Sequence, residues 1–243
     1  MDAPDTRTKL LLTAMHLFWE RGYGATGIAD LLQKAGVNSG SLYHFFPGKQ
    51  DLLLGVLDMY LEGIRPMLLE PAWKGVSDPV ERVFALLAQY RKSLVTTECF
   101  YGCPIGSLAL ELHEPDPPVR ARLARNFDAW VGAIEACLAE AGPRLPRGLD
   151  RRALSELVLS VMEGGVMQAR TFREIDRFDR SVAQLRAYFD ALLVTPKRRG
   201  GGQAALVRPT RAAAKQPLPK QRASTKGARE PARRRIRKPR PTR

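Results

Sequence analysis

The chain has 243 residues, 44% of them hydrophobic and 26% charged, with a formal net charge of +14 at pH 7. That composition is one of a globular chain with a packed core, and no stretch approaches the roughly 20 uninterrupted apolar residues of a membrane span. The charge is unevenly placed: residues 196–243 hold 17 Lys and Arg against one acid, Glu230, leaving 22 basic and 24 acidic residues, a net of −2, in the body before them.

The first residues, MDAPDTRTK, carry early acids and no long apolar run, so no secretory leader is expected. Residues 6–21 have helical periodicity, with Leu10, Ala14, Leu17 and Phe18 on one side, and Gly22 as the stop. Thr26 can N-cap a second helix, whose Leu31, Leu32 and Ala35 share a buried side. Gly36 supplies a tight turn that needs positive φ. Asn38 or Ser39 then caps a short third helix, which Val37 and Leu42 anchor to the second. Its first turn, Ser39, Gly40 and Ser41, is small and polar, the kind of helix start that a DNA major groove admits. Pro47-Gly48 ends it, and Lys49 opens a longer helix over 49–69, with Leu52, Leu53, Val56, Tyr60 and Ile64 along one side and Pro71 beyond its end.

Further along, Ser77 or Asp78 caps a helix with Pro79 at its first position, running to about Thr97. A short helix is expected over 103–113, a long one from Pro117 to Glu140 with Gly142-Pro143 as its stop, and two more over 150–172 and 179–194. Strand signals are absent, so the fold class is all-α. The last stretch, 196–243, is rich in Pro, Ala, Gly, Lys and Arg without aromatics or apolar period, and reads as a disordered basic tail. Three cysteines, Cys99, Cys103 and Cys137, suit reduced thiols better than a disulfide framework.

Residues 26–49, TGIADLLQKAGVNSGSLYHFFPGK, are the most informative stretch. Thr26, Ala35-Gly36-Val37, Gly40-Ser41-Leu42-Tyr43, Phe46 and Lys49 together resemble the helix-turn-helix domain of the tetracycline-repressor (TetR-type) regulators. The resemblance covers residues 5–70 at motif level and only the architecture beyond. It implies about nine helices: a DNA-binding head over 1–48, a ligand-binding and dimerisation body over 49–195, and the tail. It also implies that Asn38, Ser39, Gly40, Ser41, Tyr43 and His44 face bases or phosphates while Thr26 and Lys49 grip the DNA backbone. Leu32 stands where many members have Ala, and Phe45 where the family often has His. The last two body helices would pair with their copies in a homodimer, and Ala153, Leu157, Val161, Gly164, Gly165 and Ala169 include small residues that permit close approach; an intramolecular core is the competing reading of this apolar set.

In the body, Met59, Phe84, Tyr90, Phe100, Cys103, Phe127, Trp130, Met162, Glu163 and Met167 are candidate linings of a ligand cavity, ordinary core packing being the competing reading of each. Glu111 and Glu163, acids inside apolar phrases, are candidates to meet a cationic ligand, or else line a solvated helix edge. Cys103, at a helix start where the dipole favours thiolate, with Cys99 four residues away, could sense oxidants or electrophiles; inert buried cysteine is the alternative. His113 is expected to end the short helix as a cap-side cation. No phosphate loop, nucleophile elbow or metal-spaced cluster occurs, so neither an enzyme nor a cofactor is expected. The reading is therefore a cytoplasmic, ligand-responsive, sequence-specific regulator, most simply a repressor released from a near-palindromic double-stranded operator by a small-molecule effector. Its rivals are an architectural DNA-binding protein driven by the basic tail, a thiol-based redox-sensing repressor, and a helical enzyme.

Overall fold

The computed structural model describes residues 5–112 and 114–193. The basic tail and the role expected of His113 lie outside those residues. All regular structure within them is helical: α1 (Thr6–Arg21), α2 (Ile28–Ala35), α3 (Ser39–Phe45), α4 (Lys49–Gly63), α5 (Glu70–Trp73), α6 (Pro79–Thr96), α7 (Pro104–Glu111), α8 (Pro117–Glu140), α9 (Arg151–Phe172) and α10 (Asp176–Leu193). A π turn, Ile64–Leu69, joins α4 to α5 in one continuous rod, so these ten segments make nine rods.

Local chemistry sets most of the boundaries. Asp5 Oδ1 accepts from Thr8 N at 2.7 Å, Asp78 Oδ1 from Val80 N at 2.8 Å, and Asp150 Oδ1 from Ala153 N at 2.9 Å, so α1, α6 and α9 each start on a carboxylate cap. Each such cap is worth about 0.5–2 kcal/mol. Gly22 at φ 90° and Gly36 at φ 60° end α1 and α2 in backbone conformations that other residues strain to adopt. α10 starts three residues before its sequence expectation, because Phe178 is drawn into the core beside Gly165.

The rod from Lys49 departs from expectation in its second half. Pro66 falls inside it and has no N–H to give the preceding turn, while its ring crowds the carbonyl four residues back. The backbone widens into the π turn there and then resumes as α5, with Pro71 inside it rather than beyond its end.

Two buried clusters organise the body. The first joins Leu10, Leu17, Leu31, Leu42 and Phe46 of α1–α3 to Leu52, Leu53, Val56 and Leu57 of α4, and continues into Ile105, Leu108, Val119 and Leu123. The second holds Val83, Leu87, Trp130, Ile134, Val158, Met162, Phe178 and Phe189. A boundary at 48/49 therefore cuts through side chains that pack together, because the first turns of α4 complete the core of the head. No helix among the described residues is long and apolar enough to cross a membrane.

Candidate functional site

The short α3 projects from the head. Asn38 caps it, its Oδ1 accepting from Ser41 N at 2.8 Å, and Leu42 is fully buried beneath it. Ser39, Gly40, Tyr43 and His44 are exposed and Ser41 is partly so, Tyr43 at 54% being the most prominent apolar side chain on this surface. The helix thus presents hydroxyls, an open backbone, a phenol and an imidazole around one rim.

Two residues expected on that rim point elsewhere. Thr26 is 1% exposed, and its hydroxyl donates to Gly22 O at 2.7 Å and Leu17 O at 3.3 Å. It ties the α1–α2 loop to α1 instead of gripping a phosphate. Nor does it cap α2: Gly27 occupies that position, with its N–H donating to Asp30 Oδ2 at 3.1 Å. Lys49 reaches back into the same loop, its ammonium donating to Tyr23 O at 2.5 Å and lying 4.2 Å from the Tyr23 ring centroid. Partial burial lowers its pKa from the usual lysine value, and Glu111 opposes that shift. Replacing Thr26 by Val should cost about 0.5–1.5 kcal/mol of stability, the worth of one hydrogen bond, and leave DNA affinity of the folded protein within twofold. Thermal melting and fluorescence anisotropy check this; weakened DNA binding at an unchanged melting temperature would return the hydroxyl to a phosphate.

A cavity of about 390 Å³ lies where the two clusters meet. Of the candidate linings, Met59, Tyr90, Cys103, Phe127, Trp130, Met162 and Glu163 reach it. Three do not. Phe84 is core, edge-on to Phe189 at 5.2 Å with the Arg186 guanidinium over its face. Phe100 is 46% exposed under Arg173, and Met167 is 52% exposed on the outside of α9. Helical spacing cannot tell these from wall residues, since it fixes a face but not what that face meets.

The walls also include residues that the sequence reading missed. Leu12, Met15 and Trp19 of α1 line the cavity, as do Gly63, Ile64, Met67 and Leu68 around the π turn. Leu12, Met15 and Trp19 form a second apolar stripe on α1, at i, i+3 and i+7, beside the stripe that packs the head. That doubled stripe was the available signal. The cavity therefore touches the first helix of the head directly.

Glu111 is not in the cavity. Its Oε2 accepts from Tyr23 N at 2.9 Å and its Oε1 from Gly24 N at 2.6 Å, so the end of α7 is fastened to the α1–α2 loop. Gly22 makes room for this carboxylate, because a Cβ there would come within 2.9 Å of Oε2. At the other end of α7, Trp19 Nε1 donates to Gly102 O at 2.8 Å. On its far side, Arg170 of α9 donates through Nε to Phe100 O at 3.1 Å and through Nη1 to Ser107 Oγ at 3.3 Å. α7 is thus strapped between α9 and the head while its first residues wall the cavity.

The thiols are buried and free. Cys103 does sit at the N-cap of α7, but burial first and Glu163 second push its pKa well above the ordinary thiol value, outweighing the backbone N–H groups of Ile105 and Gly106. The expected thiolate is not favoured at this site. Burial likewise raises Cys99, with Arg173 opposing.

Burial also raises the Glu163 carboxyl, and only a hydrogen bond with Cys103 opposes it. A carboxyl raised in the folded state keeps its proton where the unfolded chain has lost it, so stability falls as pH rises through that window. Glu163→Gln should therefore melt above the parent at pH 8, with the difference vanishing below about pH 4. A parent that is the more stable at pH 8 would contradict the burial argument.

On the outer side of α9 and α10, Ala153, Leu157, Met167, Phe172 and Tyr188 are exposed and Val161 and Gly164 partly so. Gly165 and Ala169 face inward instead, Gly165 so close to Phe178 that a Cβ would lie 3.0 Å from its ring. Among the described residues no group of three or more His, Cys, Asp or Glu is placed to hold a metal ion.

Comparison with known proteins adds independent findings. Residues 10–56 match the model described as bacterial regulatory proteins, tetR family, and residues 79–184 match the C-terminal domain of LmrA/YxaF-like transcriptional regulators. The HTH-type transcriptional regulator YxaF of Bacillus subtilis is 33% identical over 171 residues, 70% of this chain and 87% of that one. The HTH-type transcriptional repressor DhaR of Mycobacterium sp. (strain GP1) is 26% identical over 189 residues, 77% and 92% of the two chains. Among solved structures, the regulatory protein TetR from Rhodobacter sphaeroides superposes with a TM-score of 0.68 at 23% identity, covering 74% of this chain and 96% of that one.

Proposed function

The chain belongs to the TetR family of bacterial transcriptional regulators, and on that footing we propose that it is a ligand-released repressor, acting in the cytoplasm as a homodimer on a near-palindromic operator. The observation that carries this reading is the placement of the cavity: its walls include α1 of the head, the π turn below α4 and the start of α7, which is strapped to the head at both ends. A molecule that fills the space bears on all three attachments at once. It releases DNA only if it binds the released state more tightly than the DNA-bound one.

In this reading Ser39, Gly40, Ser41, Tyr43 and His44 meet bases and phosphates, and the free face of Asn38 joins them. Thr26 and Lys49 act indirectly, by holding the loop that orients α2. Two heads in successive major grooves call for two-fold symmetry. The exposed faces of α9 and α10 are a suitable dimer surface, with Leu157 and Tyr188 as its largest apolar contributions. The repressor sense follows the relative that carries that name.

Footprinting of the full chain, and of a chain ending at residue 195, on the DNA upstream of its own gene at physiological salt tests the reading. A protected near-palindrome with both forms is expected. The 17 basic residues of the tail should add a steep salt dependence, of about 0.9 log unit per phosphate neutralised for each log unit of salt. Uniform coating by the full chain, with no protection by the shorter one, would favour the architectural reading.

A further inference from the structure

The cavity has a chemistry more specific than its size. Among the described residues its walls carry no Lys, Arg or His, and their one carboxylic acid is Glu163. Among the described residues two polar atoms there are buried without a well-formed hydrogen bond: Glu163 Oε1, and Trp130 Nε1, which has only the Tyr90 hydroxyl beside it, the tryptophan being 4% exposed. A buried polar group left unpaired costs stability, so these two atoms mark where an occupant would gain hydrogen bonds. The acceptor and the donor sit in a wall that is largely apolar, with Gln89, Ser93 and Asn126 as its other polar side chains, and rich in aromatic residues, Trp19, Tyr60, Tyr90 and Phe127.

Glu163 is held in place by the fold. Its carboxylate lies against Gly106 in the first turn of α7, where a Cβ would overlap Oε2. Only glycine lets α9 bring the acid so close.

We propose that the occupant of this cavity is a lipophilic monocation, an amine with a large apolar or aromatic body, whose N–H donates to Glu163 Oε1 and which offers an acceptor atom or ring face to Trp130 Nε1. This inference rests on the ligand-responsive reading and names the class of its effector. An anion would meet Glu163 with no basic side chain among the described wall residues to offset it, and a purely apolar molecule would give neither atom a hydrogen bond. An ammonium supplies the missing donor, and the aromatic faces around it attract the cation further. Because Glu163 also touches the start of α7, whatever pairs with it acts on the helix that is strapped to the head.

Calorimetric titration of the full-length protein separates the possibilities. The probes are imipramine, a protonated tricyclic amine, iminodibenzyl, the same tricycle without the amine arm, and the anion 8-anilinonaphthalene-1-sulfonate. Imipramine should bind at least tenfold more tightly than either of the others. Glu163→Gln should bring imipramine to within threefold of iminodibenzyl without weakening iminodibenzyl itself. Gly106→Ala should do the same by displacing the carboxylate, while circular dichroism and retained DNA binding show both variants to be folded. Equal affinity for the amine and the neutral tricycle, a preference that survives Glu163→Gln, a preference for the anion, or no binding of imipramine would overturn the proposal. DNA release by the neutral tricycle would leave the ligand-responsive reading standing while the monocation fell; a missing footprint would remove that reading itself.

Discussion

Tyr43→Ala should abolish selective operator binding while leaving the protein folded. Tyr43 projects from α3 with 54% of its surface exposed, so truncating it removes little packing. If each copy loses contacts worth about 1–3 kcal/mol, a dimer loses about 2–6 kcal/mol, or roughly 30-fold to 10⁴-fold in affinity. Binding to unrelated DNA should fall far less, because the 17 basic residues after residue 195 are untouched. Fluorescence anisotropy on the footprinted site and on a scrambled duplex, at matched salt, reads both quantities. A Tyr43→Ala protein that still prefers its own site would remove α3 from the role of reading helix.

The second large effect concerns communication between cavity and head. In Glu111→Ala the amides of Tyr23 and Gly24 lose their acceptors, and their hydrogen exchange should speed up at least tenfold. The affinity of the cavity for its occupants should not change, since Glu111 is not among its walls. The response of DNA binding to an occupant should shrink. Couplings between sites of this kind are typically 5–150-fold, and with the end of α7 detached the ratio should fall to within about threefold. Unchanged exchange at both amides would show that the fastening is not made in solution. A full response with fast exchange would route the coupling through α1 and the π turn instead.

Much of the fold was legible in the sequence for reasons that are local. Asp78, Asp150, Gly22 and Gly36 mark helix ends because capping and positive φ depend on a few neighbouring residues. The small first turn of α3 was legible in the same way, since exposure of Ser39, Gly40 and Tyr43 follows from Leu42 being the residue that packs. Thr26 was misread because its type suits a cap or a phosphate contact equally well, and only the neighbouring α1 carbonyls decide that the hydroxyl turns inward. The sequence places Pro71 beyond the end of the 49–69 helix, whereas Pro66 five residues earlier alters the hydrogen-bond pattern so that the rod runs on through Pro71.

Residue type and spacing over a few turns were enough for an all-helical body, a capped short helix that suits a major groove, and a basic charge concentrated after residue 195. The tertiary structure decided which aromatic and Met side chains face the cavity, that α1 supplies part of its wall, and that Glu111 fastens α7 to residues 87 and 88 positions earlier. It also decided that Cys103 and Glu163 share a buried wall that opposes thiolate formation. These are properties of which faces meet, and periodicity along one helix carries no information about the partner across from it.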